Sequence, residues 1–396
     1  MKKHFFKTFE LEFETTRLLW YTPYGGADYG EVATVTERIK DGNYESWYHE
    51  WSTFAQSLET RAATFYSPES KGNALLRSSR YYQAAEFFLP PKDPRKIEAY
   101  TKSVALFYDA LNLKKIPYTK HTIDYKQTKL RSLYFKTSQP TKGTFYICGG
   151  FDALLEELYF TNVIATLANG YDVVLYEGPG QSDVIRKYAL PFEADWNEVA
   201  SVIIHYYEEK EKLTGERIGV GISLGGLLLA RAASLDNKLF DQIILYNYFP
   251  SMLESFKKSL PSPLHRFLKQ GFPEPLESIC TFYLQHHHFL NWQIEHAKWV
   301  FGATSLNDLL AICDDFNETI AYENLKTDCL VLLARNENYY DYQLGVSFFQ
   351  KIPAKHKKLI LFDKQKYSSD LHCQNGAAYD ANDQLFLWLA ELSSFN

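Results

Sequence analysis

Cysteine is scarce in this chain of 396 residues, and what there is of it is scattered. Cys148, Cys280, Cys313, Cys329 and Cys373 are odd in number and form no C-x-x-C pair. That argues against a disulfide framework and against a zinc site of the usual spacing. Also missing is any run of about 18 apolar residues, so no membrane span is expected. There is no basic excess either: a net charge of -6 leaves no electrostatic footprint for nucleic acid. The first residues, Met1-Lys-Lys-His-Phe-Phe-Lys7, run into Glu10 and Glu12 before an apolar stretch long enough for a secretory signal can form. These absences lead to the expectation of a cytoplasmic protein with no metal, no other cofactor, no membrane partner and no nucleic-acid partner.

What is plentiful is aromatic: 29 Tyr and 28 Phe bring the aromatic share to 16%. Aromatic side chains bury large areas and also line pockets, which hints at apolar ligands. The length fits two domains or one enlarged α/β domain. Residues 1–120 read almost wholly as helix, with Trp47, Trp51, Phe54 and Leu58, and later Tyr82, Ala85 and Leu89, at three- and four-residue spacing. Pro90-Pro91 stops one helix, and Asp93-Pro94 looks like the start of the next. A helical N-terminal or cap domain over 1–120 is therefore expected.

From 121 onward the pattern changes to strand–helix alternation. His121 to Thr137 carries two β-rich runs that suggest a hairpin-like pair. Strands are predicted over Gly143–Cys148, Asp172–Glu177, Ile218–Val220, Asp241–Tyr246, Cys329–Ala334 and Lys358–Phe362. Helices are predicted over Leu154–Leu167, Asp195–Leu213 and Gln384–Leu392, with one more after residue 226. Alternation of this kind implies an α/β fold with a mostly parallel, doubly wound sheet. Residues of about 250–325 interrupt the rhythm with helical, aromatic and His-rich sequence too long for an ordinary loop. An inserted lid over the C-terminal edge of the sheet fits, since such edges bind ligands.

One segment points to chemistry: Gly221-Ile-Ser-Leu-Gly225 follows an apolar strand-like run and precedes a helix-like one. Strand, G-x-S-x-G, helix is the context a nucleophile elbow requires, with small residues letting the chain turn sharply around an exposed serine hydroxyl. Ser223 is the expected nucleophile. A serine needs a base, and the triad order of such folds places a histidine after the last strand, where His372 stands. The acid should come from the loop after the penultimate strand, Ala334-Arg-Asn-Glu-Asn-Tyr-Tyr-Asp341. The usual place in that loop holds Asn338. A neutral amide can orient an imidazole but cannot stabilise an imidazolium, and in serine proteases the Asp→Asn change costs about 10⁴-fold. Glu337 and Asp341 are neighbours able to substitute, and Glu254 is a further candidate. An oxyanion hole would draw on the Leu224 amide and on the Gly149-Gly150-Phe151 turn, with Gly150 or Phe151 as second donor.

Other features carry less chemistry. His286, His287 and His288 are consecutive, so they point to different sides of a helix and cannot jointly face one ion. Gly178-Pro-Gly180 lacks the spacing of a dinucleotide fingerprint and follows an acidic Glu177, so it reads as a turn near the pocket.

Taken together these segments resemble the α/β hydrolases with an N-terminal helical domain, the FrsA-like and 2,6-dihydroxypseudooxynicotine hydrolase-like esterases. The fungal pigment hydrolases that shorten polyketides are similar. In the helical part the resemblance rests on Asp41-Gly-Asn-Tyr-Glu-Ser-Trp-Tyr-His-Glu-Trp51, on Leu76 to Phe88 and on Asp93-Pro-Arg95. In the rest it lies in Gly149 to Tyr159, Glu177-Gly-Pro-Gly-Gln181, Gly221 to Gly225 and His372-Cys-Gln374. It implies Ser223 as nucleophile, His372 as base, the Gly150–Phe151 turn as oxyanion segment and Asn338 at the acid position. It also implies a site between helical domain and sheet. The first expectation is a serine hydrolase acting on a small ester, amide or ketone-bearing aromatic. An alternative is an acylaminoacyl-peptidase-like enzyme taking short N-acylated peptides. Another, motivated by Asn338, is a non-catalytic regulatory binding protein. The aromatic helical domain could also pair two subunits into a homodimer.

Overall fold

A computed structural model describes residues 4–318 and 322–394 of the chain. Its contacts divide it into two compact units: Met1–Tyr118 with Tyr159–Thr161, and Thr119–Leu158 with Asn162–Asn396.

The first unit is helical, with long helices at Phe9–Trp20, Tyr44–Ala63, Pro68–Glu86 and Pro94–Leu113 and a short one at Tyr29–Thr36. Their starts are written in polar side chains. Asn43 accepts from the Ser46 amide at 2.7 Å, Ser67 from Ser70 at 3.0 Å and Asp93 from Arg95 at 2.9 Å. Each bond satisfies one of the amides a helix leaves unpaired at its first turn. Pro68 and Pro94 occupy first helical positions, where a missing N–H costs nothing. Trp47, Trp51 and Leu58 are buried as their spacing predicts, while Phe54 is half-buried. On the next helix the buried ring is Tyr81 and not Tyr82. Trp47 meets Trp51 edge-on at 5.7 Å, and Trp51 meets Tyr81 at 5.2 Å. The Trp47 indole also donates to the Ala84 carbonyl at 2.7 Å, tying two helices by a buried polar bond.

The second unit is built on eight strands: β1 Thr119–Tyr125, β2 Thr128–Phe135, β3 Gly143–Cys148, β4 Asp172–Tyr176, β5 Glu216–Ile222, β6 Gln242–Tyr246, β7 Asp328–Ala334 and β8 Lys357–Phe362. Their order in the sheet is β1-β2-β4-β3-β5-β6-β7-β8. β1 and β2 form an antiparallel hairpin, β2 runs antiparallel to β4, and every pair from β4 to β8 is parallel. Strands β3, β4 and β6 are buried at every residue, as a parallel sheet covered on both faces requires. The register pairs Cys148 with Gly221, Ile222 with Tyr246, and Tyr246 with Leu332. The carboxyl ends of β3, β5, β6 and β7 therefore come level, and the loops that leave them emerge along one edge.

Between β6 and β7 lie the helices Met252–Ser259, Phe267–Gln270, Glu274–Gln285, His288–Phe301 and Leu306–Glu318. Phe256, Phe301, Leu309, Leu310 and Cys313 join the hydrophobic core that also holds Leu227, Leu228 and Val331. The insert is thus part of this unit's core. Two local outcomes differ from the sequence pattern. The helix expected over Leu154–Leu167 is a 3-10 turn at Glu156–Phe160 and a short helix at Val163–Ala168. It breaks where Tyr159 and Phe160 pack with the helical unit, their rings 5.5 and 6.1 Å from that of Phe107. In addition, Gly178-Pro-Gly180 leads into a helix over Ser182–Tyr188 that no periodicity announced. Among the described residues all five cysteines are unpaired and buried, and no helix is long and apolar enough to cross a membrane.

Trp47→Ala should destabilise the helical unit by about 3–5 kcal/mol, the range for emptying a large buried aromatic site. Urea unfolding followed by circular dichroism would measure it, and a loss under about 1 kcal/mol would contradict the packing described.

Candidate active site

At the end of β5 the chain turns through Ser223, whose φ of 60° and ψ of -122° lie where residues with a Cβ rarely sit. The backbone around it accounts for the cost. The Ser223 amide donates to the Tyr246 carbonyl at 2.9 Å, which prolongs the β5–β6 ladder into the turn, and the Gly226 amide donates back to the Ser223 carbonyl at 2.9 Å. The next helix, Leu224–Leu235, starts at once. So tight a turn leaves no room for side chains beside it. A Cβ on Gly225 would lie 2.6 Å from the Gly149 oxygen and 3.0 Å from that of Cys148. A Cβ on Gly150 would lie 2.8 Å from the Ser223 Cβ and 2.9 Å from the Leu224 nitrogen. The Gly149–Phe151 turn after β3 is thereby seated directly against the elbow.

His372 follows β8 and reaches back to Ser223, with its Nε2 2.8 Å from the serine Oγ. Its loop is pinned by Ser369, whose hydroxyl donates to the Asn375 carbonyl at 2.6 Å and accepts from the Leu371 amide at 3.1 Å. On the far side of the imidazole, Nδ1 lies 2.7 Å from Oε2 of Glu337. A carboxylate only accepts, so the proton between them belongs to Nδ1, and Nε2 is left to accept from the serine hydroxyl. Glu337 is buried and its other oxygen accepts from the Tyr339 amide at 2.9 Å. The loops that carry Glu337 and His372 are also joined directly, since the Asn336 amide donates to the Asp370 carbonyl at 2.9 Å.

The four acid-position candidates separate cleanly. Glu337 meets the imidazole. Asn338 does not: its amide is half-buried and donates to the Asn336 carbonyl within its own loop at 3.1 Å. Asp341 is exposed and accepts from the Gln343 amide, and Glu254 pairs with Lys257 on its own helix. The carboxylate that faces the imidazole thus stands one residue before Asn338 in the loop.

Two further residues join this cluster, and the sequence reading gave neither of them a role. Asn247, at the end of β6 with a φ of 54°, donates through Nδ2 to Oε2 of Glu337 and lies 3.0 Å from Nδ1 of His372. Since Nδ1 already bears a proton, the two nitrogens are fellow donors to one oxygen. Gln374 fixes the orientation of that amide by donating to Asn247 Oδ1 at 3.0 Å. The only sequence signals were that Asn247 ends a strand of the sheet and that Gln374 sits two places past His372.

His372 is buried, which on its own disfavours the charged form. The Cys373 sulfur and the Glu337 carboxylate beside it outweigh this and hold its pKa well above the ordinary imidazole value.

Gly225→Ala should cost about 1–3 kcal/mol or more, because backbone at 2.6 Å cannot move aside as a flexible side chain would. Thermal unfolding of the purified variant checks this, and an unchanged midpoint would mean that the elbow is looser than described.

No protein-family model matches the chain. Among curated proteins it is 30% identical to the 20-hydroxy-prefusarin hydrolase of Gibberella moniliformis, over 95% of each chain. It is 28% identical to the hydrolase acrC of Aspergillus aculeatus, over 96% of this chain and 95% of the relative. Among solved structures, 2,6-dihydroxy-pseudo-oxynicotine hydrolase superposes with a TM-score of 0.73, covering 94% of both chains at 16% identity. The parallel sheet, the helical unit ahead of it and identity at this level over nearly the whole length place the chain in the α/β-hydrolase enzyme family, in the group that includes these fungal hydrolases.

Proposed function

We propose that the chain is a serine hydrolase that cleaves a small carbonyl compound through an acyl-enzyme on Ser223. The observation that carries this reading is the unbroken line of hydrogen-bonding atoms from Ser223 Oγ to His372 Nε2, at 2.8 Å, and from His372 Nδ1 to Glu337, at 2.7 Å. Oγ attacks the substrate carbonyl as its proton passes to Nε2, forming the O–C bond and moving the carbonyl electron pair onto oxygen. The backbone N–H groups of Leu224 and of Gly150 or Phe151 stabilise that oxyanion. Collapse breaks the bond to the leaving group, which takes its proton from Nε2. Water, deprotonated by the same nitrogen, then releases the acyl group. Glu337 holds the Nδ1–H tautomer and stabilises the imidazolium throughout, so Asn338 is not needed as an acid. The non-catalytic reading, which depended on a neutral acid position, loses its motive.

A small ester, amide or ketone-bearing aromatic suits the surroundings. The Tyr339 ring stands edge-on to His372 at 4.8 Å, and Phe151 lies on the turn beside the elbow. Two of the relatives are hydrolases named for 20-hydroxy-prefusarin and for 2,6-dihydroxy-pseudo-oxynicotine, which favours small molecules over N-acylated peptides. The insert serves as a cover in this reading, since its Lys258 donates to the Glu337 carbonyl at 2.5 Å.

A fluorophosphonate probe should add its mass at Ser223 in the wild type and nowhere on Ser223→Ala. Failure to label a folded wild type would overturn the mechanism. Glu337→Gln should lower kcat on an activated ester such as p-nitrophenyl acetate by about 10³–10⁴-fold, whereas Asn338→Ala should stay within about threefold. The reverse ranking would make Asn338 the residue that matters. The raised pKa of His372 puts the rising limb of kcat/KM above about 6.5, because only neutral imidazole acts as base. Removing the Glu337 charge removes one of the influences that raise it, so Glu337→Gln should move that limb to lower pH. A limb that stays in place in the pH profile would argue against a carboxylate–imidazole pair.

A further inference from the structure

Three consecutive carbonyls of the turn after β3 are held by side chains from outside it. Gln181 Nε2 donates to the Gly149 oxygen at 2.7 Å and, more weakly, to the Gly150 oxygen at 3.3 Å. His296, on the insert helix His288–Phe301, places its Nε2 3.3 Å from the Phe151 oxygen. A carbonyl only accepts, so that nitrogen carries its proton. The Gln181 amide has a single orientation that fits. Its Oε1 accepts from the Gly178 amide at 3.1 Å, and a flipped group would set oxygen against two carbonyl oxygens.

The grip has a geometric consequence on the opposite side of the turn. The described peptide bonds are all trans, and in a trans peptide the C=O and the following N–H point in opposite directions. Holding the Gly149 and Gly150 oxygens toward Gln181 turns the N–H groups of Gly150 and Phe151 away from it. Among the described residues these two N–H groups, like that of Leu224, donate to no protein acceptor. Gly150 and Leu224 are buried, and Gly150 packs against Ser223. Unpaired donors gathered in such a place are costly in a resting protein and useful where charge develops on a substrate oxygen.

Gln181 is itself well anchored. Its loop begins at Glu177, a buried carboxylate that accepts from the Arg131 guanidinium at 2.9 Å and from the Asp183 amide at 3.3 Å. His296 is buried too, its ring 5.3 Å from Trp292 and edge-on to Phe151 at 4.7 Å.

We infer that Gln181, supported by His296, is a positioning residue that presets the Gly150 and Phe151 N–H groups to receive the oxyanion, and that the insert reaches the catalytic step through His296. This rests on the Ser223 acyl-enzyme reading. Neither side chain touches a reacting atom; both act through the backbone of the turn.

The test uses the full chain and the rate at which a fluorophosphonate phosphonylates Ser223. In that step the Oγ–P bond forms, the P–F bond breaks, fluoride leaves and the serine proton passes to His372. Its phosphoryl oxygen occupies the place of the substrate oxyanion. Gln181→Met keeps length and bulk but has no donor, and it should slow labelling by about 10–100-fold, somewhat below the loss of a whole oxyanion donor. His296→Phe keeps the ring and should slow it by about threefold to tenfold. In both variants the pH limb set by His372 should stay where it is in the wild type, since the Ser223–His372–Glu337 bonds are untouched. Labelling of Gln181→Met at the wild-type rate would overturn the inference, as would a rate loss accompanied by a shifted limb, which would mark general damage to the site. If Gln181→Met does not fold, His296→Phe decides by the same two readouts. A wild type that folds and is not labelled at all would instead defeat the serine-hydrolase reading itself.

Discussion

A serine held at a φ of 60° is the point around which the second unit is arranged. L-residues avoid that conformation, so neighbouring backbone must hold it in place, and here it does so from β6, from the turn after β3 and from the following helix. The Tyr246 carbonyl of β6 takes the Ser223 amide, the Gly149 carbonyl beyond β3 lies against Gly225, and the helix that follows closes the turn through Gly226. Each contact depends on the level ends of β3, β5 and β6, and hence on the register of the parallel sheet. The hydroxyl that results is fixed at a helix N-terminus, with the Leu224 amide beside it.

From that point the site extends by hydrogen bonds whose directions are forced. The carboxylate of Glu337 can only accept, so it selects the imidazole tautomer that leaves Nε2 facing Ser223. Asn247 presents a second donor to the same carboxylate, and Gln374 keeps that amide from turning over. The Gly149–Phe151 turn shows a similar economy, with its carbonyls taken by Gln181 and His296 and the Gly150 and Phe151 amides left open among the described residues. Glu337, His372 and the turn after β3 are each held by further polar side chains, and buried polar groups of this kind hold their geometry because leaving one unpaired is expensive.

Much of this was legible in the amino-acid order. The alternation of apolar runs from residue 143 onward announces a parallel sheet. Gly221 to Gly225 announces the elbow, because glycines on both sides of a serine between a strand and a helix suit a turn too tight for larger side chains. His372 could be read from its place after the last strand. The choice between Glu337 and Asn338 could not. They are adjacent, and which of them faces an imidazole depends on the path of a loop tied to the Asp370 carbonyl. A helix over Leu154–Leu167 was the reasonable local expectation, yet packing of Tyr159 and Phe160 beside Phe107 interrupts it. Local preference lost there to tertiary contact.

Residue order alone was enough for the class of fold and for singling out Ser223 and His372, which the structure brings within 2.8 Å of each other, since periodicity, glycine clearance and order along the chain are local properties that any copy of these residues would express. Folding in three dimensions was needed to set the Glu337 carboxylate against His372, to bring the Asn247 amide to the same oxygen, and to close the grip of Gln181 and His296 on the turn. Those contacts join residues far apart in the chain. Hydrogen bonds between such residues are set by distances that exist only once the strands have paired and the insert has packed.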